Sequence, residues 1–368
     1  MAEKIKVLHV VVDMGHGGYE NYLMNVFRHI DRNKYEFNFL VFKGRECYFE
    51  KEIISLGGKV FHCTYSDDFK YHKARKQLKE IIENNHFDIL HCHAHYYSHL
   101  FLKMFSKKIK TVILHSHNSS REHGAKGTIV YFLSKYASRK KYHNLACSEV
   151  SGKFFYGKKG KYELCPNCIE TEEFAYDEKA REELRDQYKI DNDTLVLGHI
   201  GRFAPIKNHA FLLKLARQLI DEKYDFKLCL CGAGKLYNKI YEEVTSDEKL
   251  NKNVIFLKPG DVRKHYSMFD MLLLPSFSEG FPLTLLESQA SGCYAIASDT
   301  ITDEVKLSDI VRYESIKEPS EWVPIIKEQS NKLDYDRKAM NAVVKNSKYD
   351  AEKAAKFLDE YYSKVIKE

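Results

Sequence analysis

The chain alternates short apolar runs with segments in which apolar residues recur every three to four positions. The runs predict buried strands, the recurring segments predict amphipathic helices, and their alternation is typical of parallel sheets with crossover helices. The first half predicts strands at 6–12, 36–42, 59–63, 88–92, 111–115, 144–147 and 162–165. A second series follows at 194–200, 226–231, 253–257, 271–274 and 294–297. We therefore expect an α/β protein with two doubly wound, Rossmann-like domains facing a cleft.

A polar, charged stretch from about 166 to 193 separates the two series and contains a helix-like segment at 178–188. Near the end, residues 350–366 have the spacing of an amphipathic helix, which predicts a packing helix. The domain boundaries that we predict are 1–167 for the first domain, 168–348 for the second and 349–368 for the C-terminal helix.

The composition fits a protein of this kind. A chain of 368 residues is longer than one core usually supports, and 44% hydrophobic content without a long uniform apolar run indicates a soluble protein. The apolar run near the start is too short and too poorly flanked for a signal peptide or a spanning helix. We expect a cytoplasmic protein.

Nine cysteines, an odd number, lie mostly in the predicted strands and indicate reduced core thiols. Cys165 and Cys168 have the spacing of a redox pair, but they follow a strand and no second pair is present for zinc. A redox or metal role for these two thiols is therefore disfavoured.

Charge is unevenly distributed. Residues 1–170 hold 28 Lys and Arg against 17 Asp and Glu, whereas the remainder holds 30 against 35. A basic half favours an anionic partner or surface, and we expect no nucleic-acid partner. The helix-like segments 96–110 and 126–143 mix aromatic and aliphatic residues with Lys and Arg, so each predicts either a solvated face or peripheral contact with an anionic membrane.

The most informative stretch is 275–292, where a predicted buried strand runs into a glycine-containing loop. The loop holds Glu279, and Pro282 then opens a helix that carries Glu287. In open α/β sheets ligands bind at the carboxyl ends of strands, and a helix start attracts phosphate. Carboxylates beside a phosphate site are suited to sugar hydroxyls, so this stretch predicts a nucleotide-sugar site.

A second motif follows the first strand of the second domain. Arg202 and Lys207 flank a proline-containing loop, and Asn208 is placed to cap the next helix. Two cations and a helix start are suited to binding a diphosphate. They can also neutralise the negative charge that grows on the diphosphate as it leaves the sugar. After the next strand, Gly232 and Gly234 indicate either a tight turn or a nucleotide contact, and the sequence leaves both open.

The first domain begins with a glycine-rich loop, with Gly15, Gly17 and Gly18 followed by Glu20. A dinucleotide fingerprint requires glycine in place of Glu20 and an acid at the end of the second strand, where Lys43 stands. NAD binding is disfavoured, but the backbone of such a loop can approach a phosphate or a sugar.

Seven histidines crowd the strand ends of this domain: His91, His93, His95, His99, His115, His117 and His123. The first three share a strand face and could form a metal cluster, but no carboxylate follows at ligand spacing, so we expect no metal. His117, just past a strand, is the best functional candidate, although an ordinary hydrogen-bonded role stays open for each ring.

Together these motifs resemble family four of the retaining glycosyltransferases, which have the GT-B architecture, and the chain is similar to bacterial exopolysaccharide and capsule enzymes. The matching positions, in chain order, are the loop 15–20, His117, Asn167, Gly201 with Arg202, Lys207 with Asn208, Gly232, Gly234, the motif 279–282, Glu287, the motif 298–300 and Glu304. Two departures occur, Cys168 in place of the usual linker glycine and Cys293-Tyr294 in place of Leu-Pro.

The resemblance implies a role for each motif. Arg202 and Lys207 would hold the donor diphosphate, Glu279 the donor sugar hydroxyls and Glu287 the ribose. His117 would approach the donor sugar, and the last helix would cross back onto the first domain. The remaining implied donor-binding residues are Gly17 and Gly18, which would line the cleft opposite, Gly232, Gly234 and Leu283, and Gly280, Phe281 and Pro282, which would present backbone amides.

The expected function is transfer of a sugar from a nucleotide sugar, UDP-linked by resemblance, to a saccharide acceptor, undecaprenyl- or otherwise lipid-linked, in exopolysaccharide or capsule synthesis. The catalytic candidates are Glu279, His117, Arg202 and Lys207, acting by front-face displacement with no metal or other cofactor. Peripheral contact at the inner membrane face would follow from the basic first domain. The alternatives are a nucleotide-sugar epimerase of similar shape and a catalytically silent binding protein.

Overall fold

The computed structural model describes residues 3–15, 17–64, 71–93, 98–117, 125–137, 142–258, 260–333 and 335–368. The chain divides into two units, the first formed by Met1–Ile169 with Ala351–Glu368 and the second by Glu170–Asp350. The chain passes from the first unit to the second after Ile169 and returns after Asp350, and each point lies two residues beyond the predicted boundary. The end of the chain thus belongs to the same unit as its beginning.

The first unit is built on a seven-stranded parallel sheet with the order β3-β2-β1-β4-β5-β6-β7. Its strands are β1 Ile5–Val11, β2 Tyr35–Val41, β3 Lys59–His62, β4 Ile89–Cys92, β5 Thr111–Ser116, β6 His143–Ala146 and β7 Glu163–Leu164. Its helices are α1 Gly18–His29, α2 Glu50–Ser55, α3 Tyr71–Asn84, α4 Ser98–Phe105, α5 Ala125–Ala137, α6 Glu149–Tyr156 and, from the end of the chain, α15 Ala351–Val365.

Alternation along the strands divides the first unit into two cores. Val7 and Val11 of β1 face α1 and α15 on one side of the sheet, whereas Leu8 and Val10 face α3 and α4 on the other. Because both faces are covered, each strand reads as a continuous apolar run rather than an alternating one. The apolar stripe of the C-terminal helix, including Tyr362, is buried in the first core.

The second unit repeats the design with a six-stranded parallel sheet in the order β10-β9-β8-β11-β12-β13. Its strands are β8 Leu195–Ile200, β9 Phe226–Cys231, β10 Val254–Leu257, β11 Met271–Leu274, β12 Tyr294–Ser298 and β13 Val311–Glu314. Its helices are α7 Glu178–Tyr188, α8 His209–Asp221, α9 Tyr237–Thr245, α10 Glu248–Asn253, α11 Arg263–Met268, α12 Leu283–Ala290, α13 Trp322–Ser330 and α14 Arg337–Lys345.

The prediction of two doubly wound, Rossmann-like domains is confirmed. Each of the twelve predicted strands overlaps an observed one, and the helices predicted at 178–188 and 350–366 are present. The apolar pattern did not predict β13, whose four residues include an arginine and a glutamate and form no apolar run.

Strand order reverses between β1 and β4 in the first sheet and between β8 and β11 in the second. Ligands bind at such reversals in open α/β sheets.

Within the described part of the chain, no helix is both long enough and apolar enough to cross a membrane.

Candidate active site

The loop after β8 is held by backbone hydrogen bonds to the loop after β9. The Gly201 N–H donates to the Cys231 carbonyl at 2.9 Å, and the Phe203 N–H donates to the Ala233 carbonyl at 2.9 Å. Between these two anchors lies Arg202, whose side chain is exposed and forms no hydrogen bond or ion pair with the described residues. A fixed backbone therefore presents an unengaged guanidinium.

Gly232 and Gly234 make this close approach of the two loops possible. Both have φ in the region that favours glycine, +152° and +153°. A Cβ on Gly232 would lie 2.0 Å from the Gly201 carbonyl oxygen, and a Cβ on Gly234 would lie 2.5 Å from the Phe203 carbonyl oxygen. Of the two interpretations left open by the sequence, the geometry supports a tight turn that holds the Arg202 loop.

Lys207 and Glu279 form an ion pair. Lys207 ends a short 3-10 turn, Pro205–Lys207, and its Nζ lies 2.6 Å from Oε1 of Glu279. Their loops are joined directly, because the Phe277 N–H donates to the Ile206 carbonyl at 2.9 Å. The two side chains are only 17% and 12% exposed. A largely buried cation and carboxylate thus lie together at the reversal of strand order.

Asn208 only partly matches its predicted role. It occupies the N-cap position of α8 in the left-handed conformation, with φ 55° and ψ 45°, but its side chain makes no capping hydrogen bond. The N-cap position was predicted correctly, but the capping hydrogen bond that Asn usually supplies there is not formed. Asn tolerates this conformation better than most residues, which accounts for its place at the sharp turn.

Thr300 supports the Glu279 loop from the end of β12. Its hydroxyl lies 2.9 Å from the Phe277 carbonyl oxygen and 3.2 Å from the Ser276 carbonyl oxygen, and its backbone N–H donates to the Ser298 hydroxyl. This gives the 298–300 motif a structural part in the site. It fixes the backbone that leads to Glu279.

Glu287 lies in α12 and is partly buried. The Tyr266 hydroxyl donates to its Oε2 at 2.5 Å. Burial raises the pKa of Glu287 from 4.5 to about 7, against the opposing effects of the Tyr266 hydrogen bond and the Lys207 charge. No pattern in the sequence pointed to Tyr266, which lies 21 positions earlier on another helix.

The backbone at the start of α12 offers fewer donors than expected. Pro282 has no N–H, so the expectation that it presents a backbone amide was wrong. The Leu283 N–H is engaged with the Phe281 carbonyl at 3.0 Å. Gly280 and Phe281 each carry the backbone N–H that phosphate or sugar binding requires.

In the first unit, Gly17 is the N-cap of α1 and Gly18 is its first residue. Glu20 lies over this start, and a Cβ on Gly17 would come 2.4 Å from its Oε2. Burial raises the pKa of Glu20 to about 7. Tyr19 packs against His117 with ring centroids 5.4 Å apart, so the glycine loop and His117 lie together at the carboxyl ends of β1 and β5.

His117 belongs to a cluster of histidines on one face of the sheet. His93 Nδ1 lies 2.9 Å from His117 Nε2, and His93 Nε2 lies 3.2 Å from His9 Nδ1. His9 is paired in register with His91, whose Nδ1 is hydrogen-bonded to the Tyr362 hydroxyl. His9 was not among the predicted site residues, although its side chain points to the same face of β1 as those of Val7 and Val11. His95, His123 and the side chain of His99 lie outside the described residues.

Two sets of three rings are close enough to hold a metal. Ring nitrogens lie within 4.8 Å of one another in His9, His91 and His93, and again in His93, His115 and His117. Hydrogen bonds already join His9 to His93 and His91 to Tyr362, so an ion would have to replace them. The absence of a metal stays a prediction.

Cys165 and Cys168 are buried thiols that form no disulfide, and the same holds for all nine cysteines, each of which lies in the described part of the chain. Burial raises the pKa of the Cys165 thiol to about 12, and its Sγ lies 3.0 Å from the Tyr22 hydroxyl. Redox exchange requires a thiolate, which this environment suppresses. The interpretation of these cysteines as reduced thiols of the core is supported.

The family is decided by comparison with known sequences. Residues 16–173 match the family described as Glycosyltransferase Family 4, and residues 180–305 match Glycosyl transferases group 1. The chain is 34% identical over 337 residues to EpsF of Bacillus subtilis (strain 168), which is provisionally named a glycosyltransferase. The matched region covers 87% of this chain and 86% of EpsF. The chain belongs to glycosyltransferase family 4. The resemblance stated from the motifs is confirmed.

Solved structures agree on the fold of this glycosyltransferase. Anabaena HepE, solved with UDP and with UDP-glucose, has a TM-score of 0.80 at 16% identity over 98% of this chain and 100% of its own. Sucrose-phosphate synthase from Thermosynechococcus elongatus also has a TM-score of 0.80, at 14% identity, over 98% of this chain and 99% of its own. The fold is the expected GT-B architecture.

One named relative is more specific. An Escherichia coli enzyme called UDP-Gal:alpha-D-GlcNAc-diphosphoundecaprenol alpha-1,3-galactosyltransferase is 27% identical over 154 residues, 41% of this chain and 40% of its own. Membership of a glycosyltransferase family supports a transferase rather than an epimerase.

Proposed function

We propose that this glycosyltransferase transfers a hexosyl unit from a UDP-sugar to a saccharide acceptor with retention of anomeric configuration. The observation that carries the proposal is the Lys207–Glu279 ion pair, with the exposed Arg202 guanidinium on the same loop as Lys207. Two cations and one carboxylate at a strand-order reversal match a diphosphate joined to a sugar.

Each charged group has one task in the proposal. Arg202 and Lys207 bind the diphosphate, and Glu279 accepts hydrogen bonds from donor sugar hydroxyls. Glu287, held by Tyr266, accepts hydrogen bonds from the ribose. Lys207 exchanges its present partner for phosphate oxygens, which leaves Glu279 able to bind hydroxyls.

The proposed reaction is a front-face displacement. The bond between the anomeric carbon and the leaving phosphate oxygen breaks, and the acceptor hydroxyl oxygen bonds to that carbon on the same face. The acceptor proton passes to the leaving phosphate oxygen. Arg202 and Lys207 neutralise the charge that develops on UDP, which is the work that a metal ion performs in other transferases, so the reaction is proposed to need no metal.

Relatives and solved structures support the proposed donor, acceptor and biosynthetic role. HepE was solved with UDP and UDP-glucose, which favours a UDP-sugar donor. The name of the E. coli relative gives a diphosphoundecaprenol acceptor, which favours a lipid-linked saccharide here. A Staphylococcus aureus relative, 29% identical over 125 residues, is named a capsular polysaccharide biosynthesis glycosyltransferase, which favours a role in exopolysaccharide or capsule synthesis.

The test is direct. Purified protein is incubated with each of a panel of radiolabelled UDP-sugars, with and without undecaprenyl-diphosphate saccharides, after removal of metals with EDTA. We expect label to enter the lipid fraction only when acceptor is present. Interconversion of UDP-sugars without acceptor would identify an epimerase. Binding of no nucleotide sugar by calorimetry would identify a silent relative.

We also propose that α5 contacts the membrane that carries a lipid-linked acceptor. Its side chains Ile129, Phe132, Leu133 and Tyr136 are 60%, 58%, 47% and 69% exposed and lie at helical spacing, so they form one apolar stripe on the surface. The neighbouring helix α4 packs against α5, and exposed lysines lie on it or just after it: Lys103, Lys107, Lys108 and Lys110. An apolar stripe beside a basic surface suits the inner, anionic face of a membrane.

A further inference from the structure

A cysteine, a glutamate and a histidine come together beside β3, the edge strand of the first sheet. Cys47 lies in the loop after β2, Glu50 is the first residue of α2 and His62 is the last residue of β3. One ligand atom from each of the three lies within 4.8 Å of the other two. Three separate segments thus bring a thiol, a carboxylate and an imidazole to one point, and zinc binds these three kinds of group.

The hydrogen bonds of His62 orient its ring for metal binding. Its Nδ1 lies 2.9 Å from the Lys43 carbonyl oxygen, which can only accept, so Nδ1 carries a hydrogen and donates it. Nε2 then faces the Glu50 carboxylate, 3.0 Å from Oε1. Two such acceptor atoms come this close only with a proton or a metal ion between them. A histidine that binds a metal usually donates its other N–H to a carbonyl or a carboxylate, as His62 does.

Glu50 is oriented in a similar way. Its Oε2 accepts a hydrogen bond from the Cys47 backbone N–H at 2.9 Å, which leaves Oε1 as the oxygen that faces the His62 ring. Cys47 is buried, and the side chains of Glu50 and His62 are partly buried. Hydrogen bonds from outside a ligand set fix the direction of its members, so the cluster is ordered before any ion binds.

The distances between the ligand atoms need little change. With bonds of about 2.1 Å to nitrogen and oxygen, a tetrahedral zinc ion holds these two atoms about 3.4 Å apart. His62 and Glu50 would therefore separate by about 0.4 Å. The Cys47 thiol now donates to the Arg45 carbonyl at 3.8 Å, a long contact that a bond to zinc would replace. The Asp13 carboxylate, which lies beside the same thiol, is available as a fourth ligand.

We propose that Cys47, Glu50 and His62 bind a structural zinc ion. On binding, the thiol proton and the proton between His62 and Glu50 leave to solvent, and zinc takes their places. The ion joins the loop after β2 to α2 and β3. The Phe49 N–H donates to the Met14 carbonyl at 3.1 Å, so the same loop also holds the backbone that leads into the glycine-rich loop.

The zinc site lies apart from the groups assigned to sugar transfer and from the histidines that follow β4 and β5, for which we expect no metal. It therefore does not rest on the proposed function. Its tests measure metal binding and stability and involve no sugar transfer, so failure of one proposal leaves the other standing.

Titration of the metal-free, full-length protein with Co²⁺ and then with Zn²⁺ tests the site. Cobalt bound to a thiolate absorbs strongly in the near ultraviolet, and zinc abolishes this absorption by displacing the cobalt. We expect one equivalent of cobalt to produce the absorption in wild type and Cys47→Ser to abolish it. Zinc should raise the melting temperature of wild type and leave that of Cys47→Ser unchanged.

Calorimetry measures the contribution of the imidazole. We expect His62→Gln to weaken zinc binding at least about 100-fold, because loss of a partner outside the ligand set alone costs about 10- to 100-fold. Cys63→Ser is the matched control for the thiol, since it removes another buried cysteine, next to His62 in the sequence but outside the cluster. His93→Gln removes the ring shared by both histidine sets. Both controls should keep the wild-type cobalt absorption and zinc affinity.

Absence of the cobalt–thiolate absorption in wild type, or its equal loss in Cys63→Ser, would overturn the zinc site. Wild-type zinc affinity in His62→Gln would do the same, and loss of binding in His93→Gln would assign the metal to the histidine rings instead. If Cys47→Ser does not fold, the wild-type cobalt spectrum and His62→Gln, whose substituted side chain is partly exposed, decide the matter.

Discussion

Lys207 Nζ lies 2.6 Å from Glu279 Oε1, although 72 residues separate them in the sequence. The two side chains come from loops that follow β8 and β11, the neighbouring strands at which the strand order of the second sheet reverses. Each charge stabilises the other in a largely buried setting. The pair therefore keeps one cation and one carboxylate ionised at the point where a diphosphate and a sugar would bind.

Removing either member of the ion pair should nearly abolish transfer. We expect Glu279→Gln and Lys207→Ala each to lower kcat/KM at least roughly 100-fold, the scale of losing one charge-stabilising group. Steady-state assays with the UDP-sugar donor measure this. Near-normal turnover by both variants would refute the assignment.

Exchanging the two charges should separate stability from catalysis. Either single variant leaves a largely buried charge unpaired, which costs roughly 1–3 kcal/mol. The double variant Lys207→Glu with Glu279→Lys restores an ion pair, so its melting temperature should return towards the wild-type value while transfer stays lost. Recovery of transfer in the exchanged variant would mean that the pair has only a structural role.

Glu287 should make stability depend on pH. Its pKa is raised from 4.5 to about 7, so the native state holds this proton more tightly than the unfolded chain does. The resulting stabilisation is complete below about pH 4.5 and is lost as the pH rises through about 7, a change of roughly 3 kcal/mol. Glu287→Gln, which mimics the neutral acid, should match wild type at pH 5 and exceed it at pH 8.

Urea unfolding at the two pH values measures this difference. A stability gap between Glu287→Gln and wild type that is the same at both pH values would contradict the pKa shift. The same variant should raise the KM for the donor, because a neutral amide accepts hydrogen bonds from ribose hydroxyls less strongly than a carboxylate does.

Gly232→Ala should disrupt the Arg202 loop. The new Cβ would lie 2.0 Å from the Gly201 carbonyl oxygen, so the two loops must separate. We expect a lower melting temperature and loss of the thermal shift produced by UDP. The control is Gly57→Ala, which also has a positive φ, +87°, but whose Cβ meets nothing within 4 Å. Equal effects of the two substitutions would attribute the loss to backbone strain alone.

The apolar stripe on α5 should bind anionic membranes. We expect Phe132→Ser with Leu133→Ser to weaken binding to vesicles containing phosphatidylglycerol at least about tenfold, because burying one large apolar side chain contributes about 1.5–3 kcal/mol. Vesicle sedimentation measures this. The control is Ile54→Ser on α2, a side chain with 58% exposure outside the stripe. Equal binding by the double variant and wild type would exclude α5 as the contact.

The sequence by itself determined the architecture and the inventory of charged groups. Parallel strands buried on both faces must be apolar along their whole length, so twelve strands were visible as runs. Polar residues in the loops that follow such runs, such as Arg202 and Glu279, had to lie at the carboxyl edge of a sheet. The positions of Lys207 and Glu287 followed from the helix starts beside them.

Only the tertiary structure decided which of these groups meet. Strand order places β8 beside β11, and this brings Lys207 to Glu279, because spatial neighbours in a parallel sheet are set by crossovers rather than by sequence separation. Tyr266 reached Glu287 through helix packing, and His9 joined His93 and His117 through strand register. Local sequence patterns predict which segments form strands or helices and which residues are buried. These contacts instead join residues far apart in the sequence, and they arise only when the sheets form.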